Sequence, residues 1–245
     1  IEPYPIEDVA EGRAAAAKAV EFIRAARAEV LMKGSLHTDD LLSAVVPSAT
    51  GLRSGRRISH AFVMSVPTYP KPLIITDGAI NIAPGLDEKR DICQNAIDLA
   101  RSLGRENPKV AILSAVETVT TKIPSTIDAA ALCKMADRGQ ITGGILDGPL
   151  AMDNAINLDA AKTKGIASLV AGDPDILIAP DLESGNILAK LLTFLANADA
   201  AGIVLGARVP IILTSRADSV RARMASCGVA LLVAHARRTS PGGGA

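Results

Sequence analysis

The chain has 245 residues, 49% hydrophobic and 21% charged, which supports a packed core and excludes a disordered polymer. Basic and acidic residues balance at 26 each, and there are no Trp, three Phe and two Tyr, so neither a recruiting field nor a stacking platform exists for nucleic acid. Cys93, Cys133 and Cys227 lie far apart without a CxxC pair, which excludes a zinc ribbon and a disulfide framework and predicts three reduced, packing thiols in a cytoplasmic protein. No apolar run reaches membrane-spanning length and no signal-peptide h-region occurs, so no membrane partner is expected.

In chain order, Ile1 stands where a Met would open a complete chain, which predicts a fragment or a disordered segment at the start. Residues 8–28 are Ala-rich with Val20, Phe22 and Ile23 on one stripe, an amphipathic helix. Residues 29–34 (EVLMKG) read as a short strand, and a helix restarts near Thr38. Residues 58–66 (ISHAFVMSV) and 73–76 (LIIT) read as strands joined by the Pro-rich turn PTYPKP. Asp87 opens a helix of about 15 residues, acidic at its start and basic at its end, as the helix dipole prefers.

From Lys109 a second set of alternations begins with the strand KVAILSA. Ser125 and Asp128 resemble an N-cap pair opening a helix that Gly139 closes. GGILDGP is a strand, LDAAKTKG ends the next segment, DILIAPDL is a strand, and SGNILAKLLTFLANA is a helix. Then come GIVLGA as a strand, a Pro break, the apolar run IILT, and a last helix from about Ala217 to Ala236. The tail TSPGGGA is Gly-rich and predicted to fray.

Short apolar runs alternating with helices indicate parallel strands covered on both faces. Their number favours two α/β/α domains, with mainly parallel sheets, facing an interdomain cleft where a ligand would bind.

Motifs with defined mechanics are absent: there is no GxxxxGK[ST], GxGxxG, GxSxG or HExxH, and His37, His60 and His235 have no metal-ligand spacing. His60, inside a strand, reads as a satisfied core or edge histidine. Polar groups instead gather after strands: Lys33 with Ser35 and His37, Thr76-Asp77, Asp147, and Asp181 through Asn186. Each alone also reads as a turn or cap, but carboxyl strand ends are where open α/β sheets bind ligands. Ser184-Gly185-Asn186, opening a helix, supplies backbone N–H groups for an anion. The strongest cluster is Thr214-Ser215-Arg216-Ala217-Asp218, where a hydroxyl, a planar fork of donors and a carboxylate follow an apolar strand. Its plain alternative is a helix cap at Ser215 with solvated first-turn charges.

With GILDGPLAMDNAI, PDLESGN, GARVPIILTSRADS, LMKGSLHTDDLLSAVV, GLRSGRRISHAFVMSVPTYP and ITDGAINIAP in hand, the sequence resembles the phosphate acetyltransferase/phosphate butyryltransferase family over nearly its whole length. It looks nearest to the butyryl-type branch and to the acyltransferase half of fusions with an enoyl-CoA hydratase domain. The resemblance implies reversible transfer of an acyl group between coenzyme A and inorganic phosphate, a homodimer, and neither a metal nor a tightly bound cofactor. It implies a first domain of residues 1–108 plus 203–245, lacking its opening βα units, and a second of residues 109–202.

The implied catalytic residues are Ser215, Arg216 and Asp218, with substrate contacts from Lys33, His37, Asp147, Asp181, Gly185 and Asn186. Two departures stand out. The acidic residue that acetyl-type enzymes carry seven positions after the serine is Ala222 here, which leaves Asp218 as the substitute base. Asp173-Pro174 stands where relatives more often carry Arg-Ala. Arg53, Arg56 and Arg57 offer a second basic group or a solvated cluster, and Met64, Ile80, Leu150 and Met152 are candidates for an acyl pocket. A non-catalytic acyl-CoA-sensing module is the competing reading. A decarboxylating dehydrogenase of the isopropylmalate type would need metal-binding aspartates along one helix, and these are missing.

Overall fold

The structure, a computed structural model, describes residues 4–214 and 218–239. Ser215, Arg216 and Ala217, and the tail from Ser240, lie outside the described residues. The chain is an α/β protein built on one sheet. Its strands are β1 (Leu31–Met32), β2 (Ser59–Ser65), β3 (Leu73–Thr76), β4 (Lys109–Leu113), β5 (Ile145–Leu150), β6 (Ile176–Ile178), β7 (Asp199–Leu205) and β8 (Ile211–Ile212). They lie in the order β1-β8-β7-β2-β3-β6-β4-β5.

One sheet, rather than two, runs through both expected domains. The boundary between them falls at β3 and β6, which pair in parallel from Ile74↔Ile176 to Thr76↔Ile178. The sheet is also mixed: β2 is antiparallel to both β3 and β7, and β7 to β8. The links explain why. PTYPKP and GARVP are too short for a parallel crossover, which needs about a dozen residues, so each must close an antiparallel pair. Consequently the carboxyl ends of β1 and β8 point to the opposite sheet edge from those of β3, β4, β5 and β6. The polar turns expected at one common edge divide into two sets.

One face of the sheet is covered by α3 (Leu86–Ser102), α4 (Pro124–Asp137) and α8 (Val220–Thr239), whose Ile97, Leu99, Leu132 and Val233 pack on Ile112, Ile176 and Ile203. The other face carries two separate cores. Helices α1 (Gly12–Arg24) and α2 (Thr38–Val45) cover β1, β7 and β8 through Val20, Leu41 and Ile211. Helices α5 (Met152–Ile156), α6 (Leu158–Thr163) and α7 (Leu182–Leu195) cover β3, β4 and β6 through Ala155, Ala161 and Leu177.

Two helix starts differ from expectation. Ser125 does not cap α4: Ile123 holds the cap position, Pro124 opens the helix with its fixed φ, and Ser125 Oγ instead meets Ser114 Oγ at 2.8 Å. Helix α8 begins at Val220, with Ser219 Oγ accepting from the Ala222 N–H at 3.1 Å. No helix among the described residues is long and apolar enough to cross a membrane.

Candidate functional site

The two cores on one sheet face meet along a seam that the strands themselves define. Ile58, just before β2, belongs to the α1–α2 core, whereas Phe62 and Met64 on the strand belong to the α5–α7 core; His60 lies between them. Along β7, Val204 belongs to the first core and Ala200 to the second; Gly202 lies between. The register pairs His60 with Val204 and Phe62 with Gly202, so both strands change core at the same place.

His60 is 1% exposed. Its ring stands edge-on to Phe62 at 4.4 Å between centroids, and a Cβ on Gly202 would come within 3.1 Å of its Nε2. Its Nδ1 is buried without a hydrogen-bond partner among the described residues, so the expectation of a satisfied core histidine is corrected. Burial lowers its pKa to about 4, against the attraction of the Asp77 and then the Asp218 carboxylate, both of which favour the cation.

An unfolded histidine titrates near 6.5. Between that value and about 4 the unfolded chain therefore binds a proton that the folded chain refuses. The stability contributed by neutral His60 is complete above pH 6.5 and is lost as pH falls, by about 3 kcal/mol across the window. Calorimetry from pH 6.5 to 4 should show a steeper fall in melting temperature for the unaltered chain than for His60→Phe. Equal slopes would contradict the assignment.

Asp77, 2% exposed, organises the loop after β3. Its Oδ1 accepts from the Ala79 and Ile80 N–H groups at 2.8 and 3.0 Å. Its Oδ2 accepts from the His60 N–H, the Asn81 N–H and Asn81 Nδ2 at 3.2, 3.3 and 2.6 Å. Asn81 Nδ2 also donates to the Ile58 carbonyl, and Arg57 Nε donates to Asn81 Oδ1 at 2.7 Å. Two of the three clustered arginines also form ion pairs: Arg57 with Glu88 at 3.0 Å and Arg56 with Asp98.

The residues expected in the site take different places. Lys33 is buried on the seam side of the sheet, its backbone N–H bonded to the Ile212 carbonyl, beside the strand that leads to Thr214. It spends two ammonium N–H groups on the Gly34 and Leu36 carbonyls at 3.1 and 3.0 Å. His37 is exposed at the N-cap position of α2. Asp218 is half-buried just before α8 and close enough to His60 to act on its charge. Ser215 and Arg216 lie outside the described residues.

At the other sheet edge the expected groups serve local structure. Asp181 caps α7: the Ser184 N–H at 2.8 Å and then its hydroxyl at 2.7 Å hold the carboxyl below its ordinary pKa. Gly185 packs so tightly that a Cβ would lie 2.3 Å from the Asp77 carbonyl, and Asn186 Nδ2 donates to the Gly78 carbonyl at 2.8 Å. Asp147 is on the edge strand β5, its carboxylate accepting from the Gly148 N–H at 2.8 Å. That strand is four places from β2, roughly 19 Å at the usual strand spacing, so Asp147 is remote from His60.

Asp173 pairs with Lys71 and Lys109 at 2.9 and 2.8 Å at the amino ends of β4 and β6. Met64 and Leu150 are buried and Met152 half-buried in the α5–α7 core, whereas Ile80 packs on the α1–α2 core. Burial, and then the Asp147 charge, pushes the Cys133 thiol up to about 12, which suits a packing role. Sequence reasoning read His60 as satisfied and did not single out Asn81. The available signal was a polar ring inside ISHAFVMSV, a run otherwise suited to a buried strand.

Residues 6–231 match the protein family described as phosphate acetyl/butaryl transferase. The chain is 68% identical over 235 residues to a phosphate acetyltransferase of Rhizobium meliloti, covering 96% of this chain and 74% of that protein. It is 45% identical over 220 residues to a phosphate butyryltransferase of Clostridium acetobutylicum, covering 90% of this chain and 73% of the relative. A branched-chain phosphotransacylase from Enterococcus faecalis V583 superposes with a TM-score of 0.85 at 33% identity, over 93% of this chain and 81% of that one. By these figures identity is higher to the acetyl-named relative than to the butyryl-named one, although the motifs look nearest to the butyryl branch.

Proposed function

This chain belongs to the phosphate acetyl/butaryl transferase family, and from that premise we infer that it is a phosphate acyltransferase, converting acyl-CoA and inorganic phosphate into acyl phosphate and CoA. The observation that carries the reading is the 68% identity to a phosphate acetyltransferase across 96% of the chain. Coenzyme A is a substrate here, not a resident cofactor. A cytoplasmic location and a homodimer belong to the same reading; the exposed α7 stripe Ile187, Leu191, Phe194 and Leu195 supports self-association.

In this mechanism a phosphate oxygen attacks the thioester carbonyl, the C–S bond breaks, and the CoA thiolate leaves and takes up a proton. In reverse, the thiol gives its proton to a carboxylate base, for which Asp218 is the candidate, as its sulfur attacks the acyl phosphate. Arg216 neutralises phosphate charge with two parallel N–H donors. Ser215 donates a hydrogen bond to the developing oxyanion or the departing phosphate. Lys33, next to the strand that leads into this segment, adds positive charge. Most of the acceleration comes from holding two substrates together where the two cores meet.

The test is thiol release from acetyl-, propionyl- and butyryl-CoA, with and without phosphate, on a preparation whose mass is followed by sedimentation. Phosphate-dependent release from a dimer is the expected result. Saturable acyl-CoA binding without turnover would instead identify a sensing module, a reading favoured by Ala222 at the position of the missing carboxylate.

A further inference from the structure

We propose that the crevice between α3 and α8, at the amino ends of β3 and β6, is a binding site for a small apolar monocarboxylate, held by Arg105 at its mouth. The site is independent of the acyl-transfer reading and lies on the sheet face opposite the seam.

The crevice encloses about 270 Å³ and is walled by Val63 of β2, Ile74 of β3, Ala100 and Leu103 at the end of α3, and Val229 of α8. All five belong to the core under α3, α4 and α8, whereas Phe62 and Met64, the neighbours of Val63 on its strand, belong to the core on the other face. Val63, Leu103 and Val229 stay only half-buried. Apolar surface left wet in a concavity is what a small hydrophobic body can cover. A cavity of about 150 Å³ is enough for a six-carbon ring, so this one takes a chain of about six carbons with room for a polar end.

The mouth sets the polarity of that end. Helix α3 closes on Gly104 at φ 90°, and the Arg105 N–H then donates to the Ala100 carbonyl at 3.0 Å. This closure needs a left-handed residue and fixes where the arginine side chain starts. Arg105 lines the crevice with its side chain half exposed. Its guanidinium makes no hydrogen bond among the described residues, since Asp175 at 3.8 Å is beyond that reach. The neighbouring lysines are spent. Lys71 lies 2.9 Å from both Asp173 and Asp175, and Lys109 lies 2.8 Å from Asp173. Asp175, which also lines the crevice, is neutralised by Lys71 and takes the Lys109 N–H on Oδ2 at 2.8 Å. Asp173, one of the two departures in the sequence, thus holds both lysines and leaves the unspent charge on Arg105. Its planar fork of N–H donors matches a carboxylate.

The experiment is calorimetric titration of the unaltered chain, Arg105→Ala and Val229→Phe with hexanoate, and with hexylamine as the cationic counterpart. Hexanoate should saturate with a Kd of about 1 mM or below and bind at least about tenfold tighter than hexylamine. Arg105→Ala should weaken hexanoate at least about tenfold, and Val229→Phe, which fills the crevice, should do the same. Both variants should keep phosphate-dependent CoA release at the rate of the unaltered chain, and saturating CoA should not displace hexanoate. No saturable heat with hexanoate, tighter binding of hexylamine, or displacement by CoA overturns the site. So does undiminished affinity in either folded variant; should Val229→Phe not fold, Arg105→Ala, at an exposed position, decides. A chain that binds hexanoate but releases no CoA sinks the functional reading and leaves this site standing; an active chain indifferent to hexanoate sinks only the site.

Discussion

Arg216→Ala is expected to cut phosphate-dependent release of CoA by at least about 100-fold, the loss typical of removing one preorganised partner from a developing charge. The reaction transfers an acyl group to or from a phosphate, and the negative charge on that phosphate must be matched in a site partly shielded from water. A guanidinium meets two phosphate oxygens with two parallel N–H donors, whereas an ammonium offers a point charge. Arg216→Lys should therefore recover only part of the rate. The neutral net charge of the chain, 26 basic against 26 acidic residues, means that no general field would replace the missing arginine. Steady-state rates at saturating acyl-CoA and varied phosphate give the comparison. An Arg216→Ala enzyme that runs at near-normal speed would remove the arginine from the mechanism.

Asp77→Ala should be the most damaging single change to the fold among the residues discussed. Its two oxygens accept five hydrogen bonds, from the N–H groups of Ala79, Ile80, Asn81 and His60 and from Asn81 Nδ2. Alanine would strand these donors in a site where Asp77 and Asn81 are each 2% exposed. Several unmet donors together cost about 3–5 kcal/mol, which for a chain of this size is a fall of roughly 6–20 °C in melting temperature. Asp77→Asn keeps one acceptor oxygen but turns an NH2 toward other donors, so an intermediate loss is expected. Thermal melts of the three proteins at neutral pH decide the matter. An alanine variant melting within about 2 °C of the unaltered chain would show that the loop holds without its carboxylate.

Much of the chain could be read locally. The strands β2, β3, β4 and β7, the acidic start of α3 and the Gly139 turn that closes α4 all follow from short-range patterns of apolar, charged and glycine residues. Ser125 and Asp128 misled because their partners are distant in sequence: Ser114 takes the first at 2.8 Å and Lys89 the second at 2.6 Å. A cap motif is a local inference, and a tertiary contact can claim its side chains first. The strand directions were also legible, in the six residues of PTYPKP and the five of GARVP, but apolar runs flanked by helices suggested parallel strands instead.

The sequence by itself determined the α/β class, the family resemblance and the Ser215-Arg216-Ala217-Asp218 segment, because each is carried by residues adjacent in the chain. Only the tertiary structure decided that one mixed sheet crosses both segments, that two cores share one of its faces, and that His60 and Gly202 mark their seam. It likewise gave Asp77 its place under the 77–81 loop and left Asp181 as a helix cap. The physical reason is that side-chain periodicity records which face of an element is buried. Which neighbour buries it, and which polar group is left without a partner there, depends on strands paired more than a hundred residues apart, as β2 and β7 are.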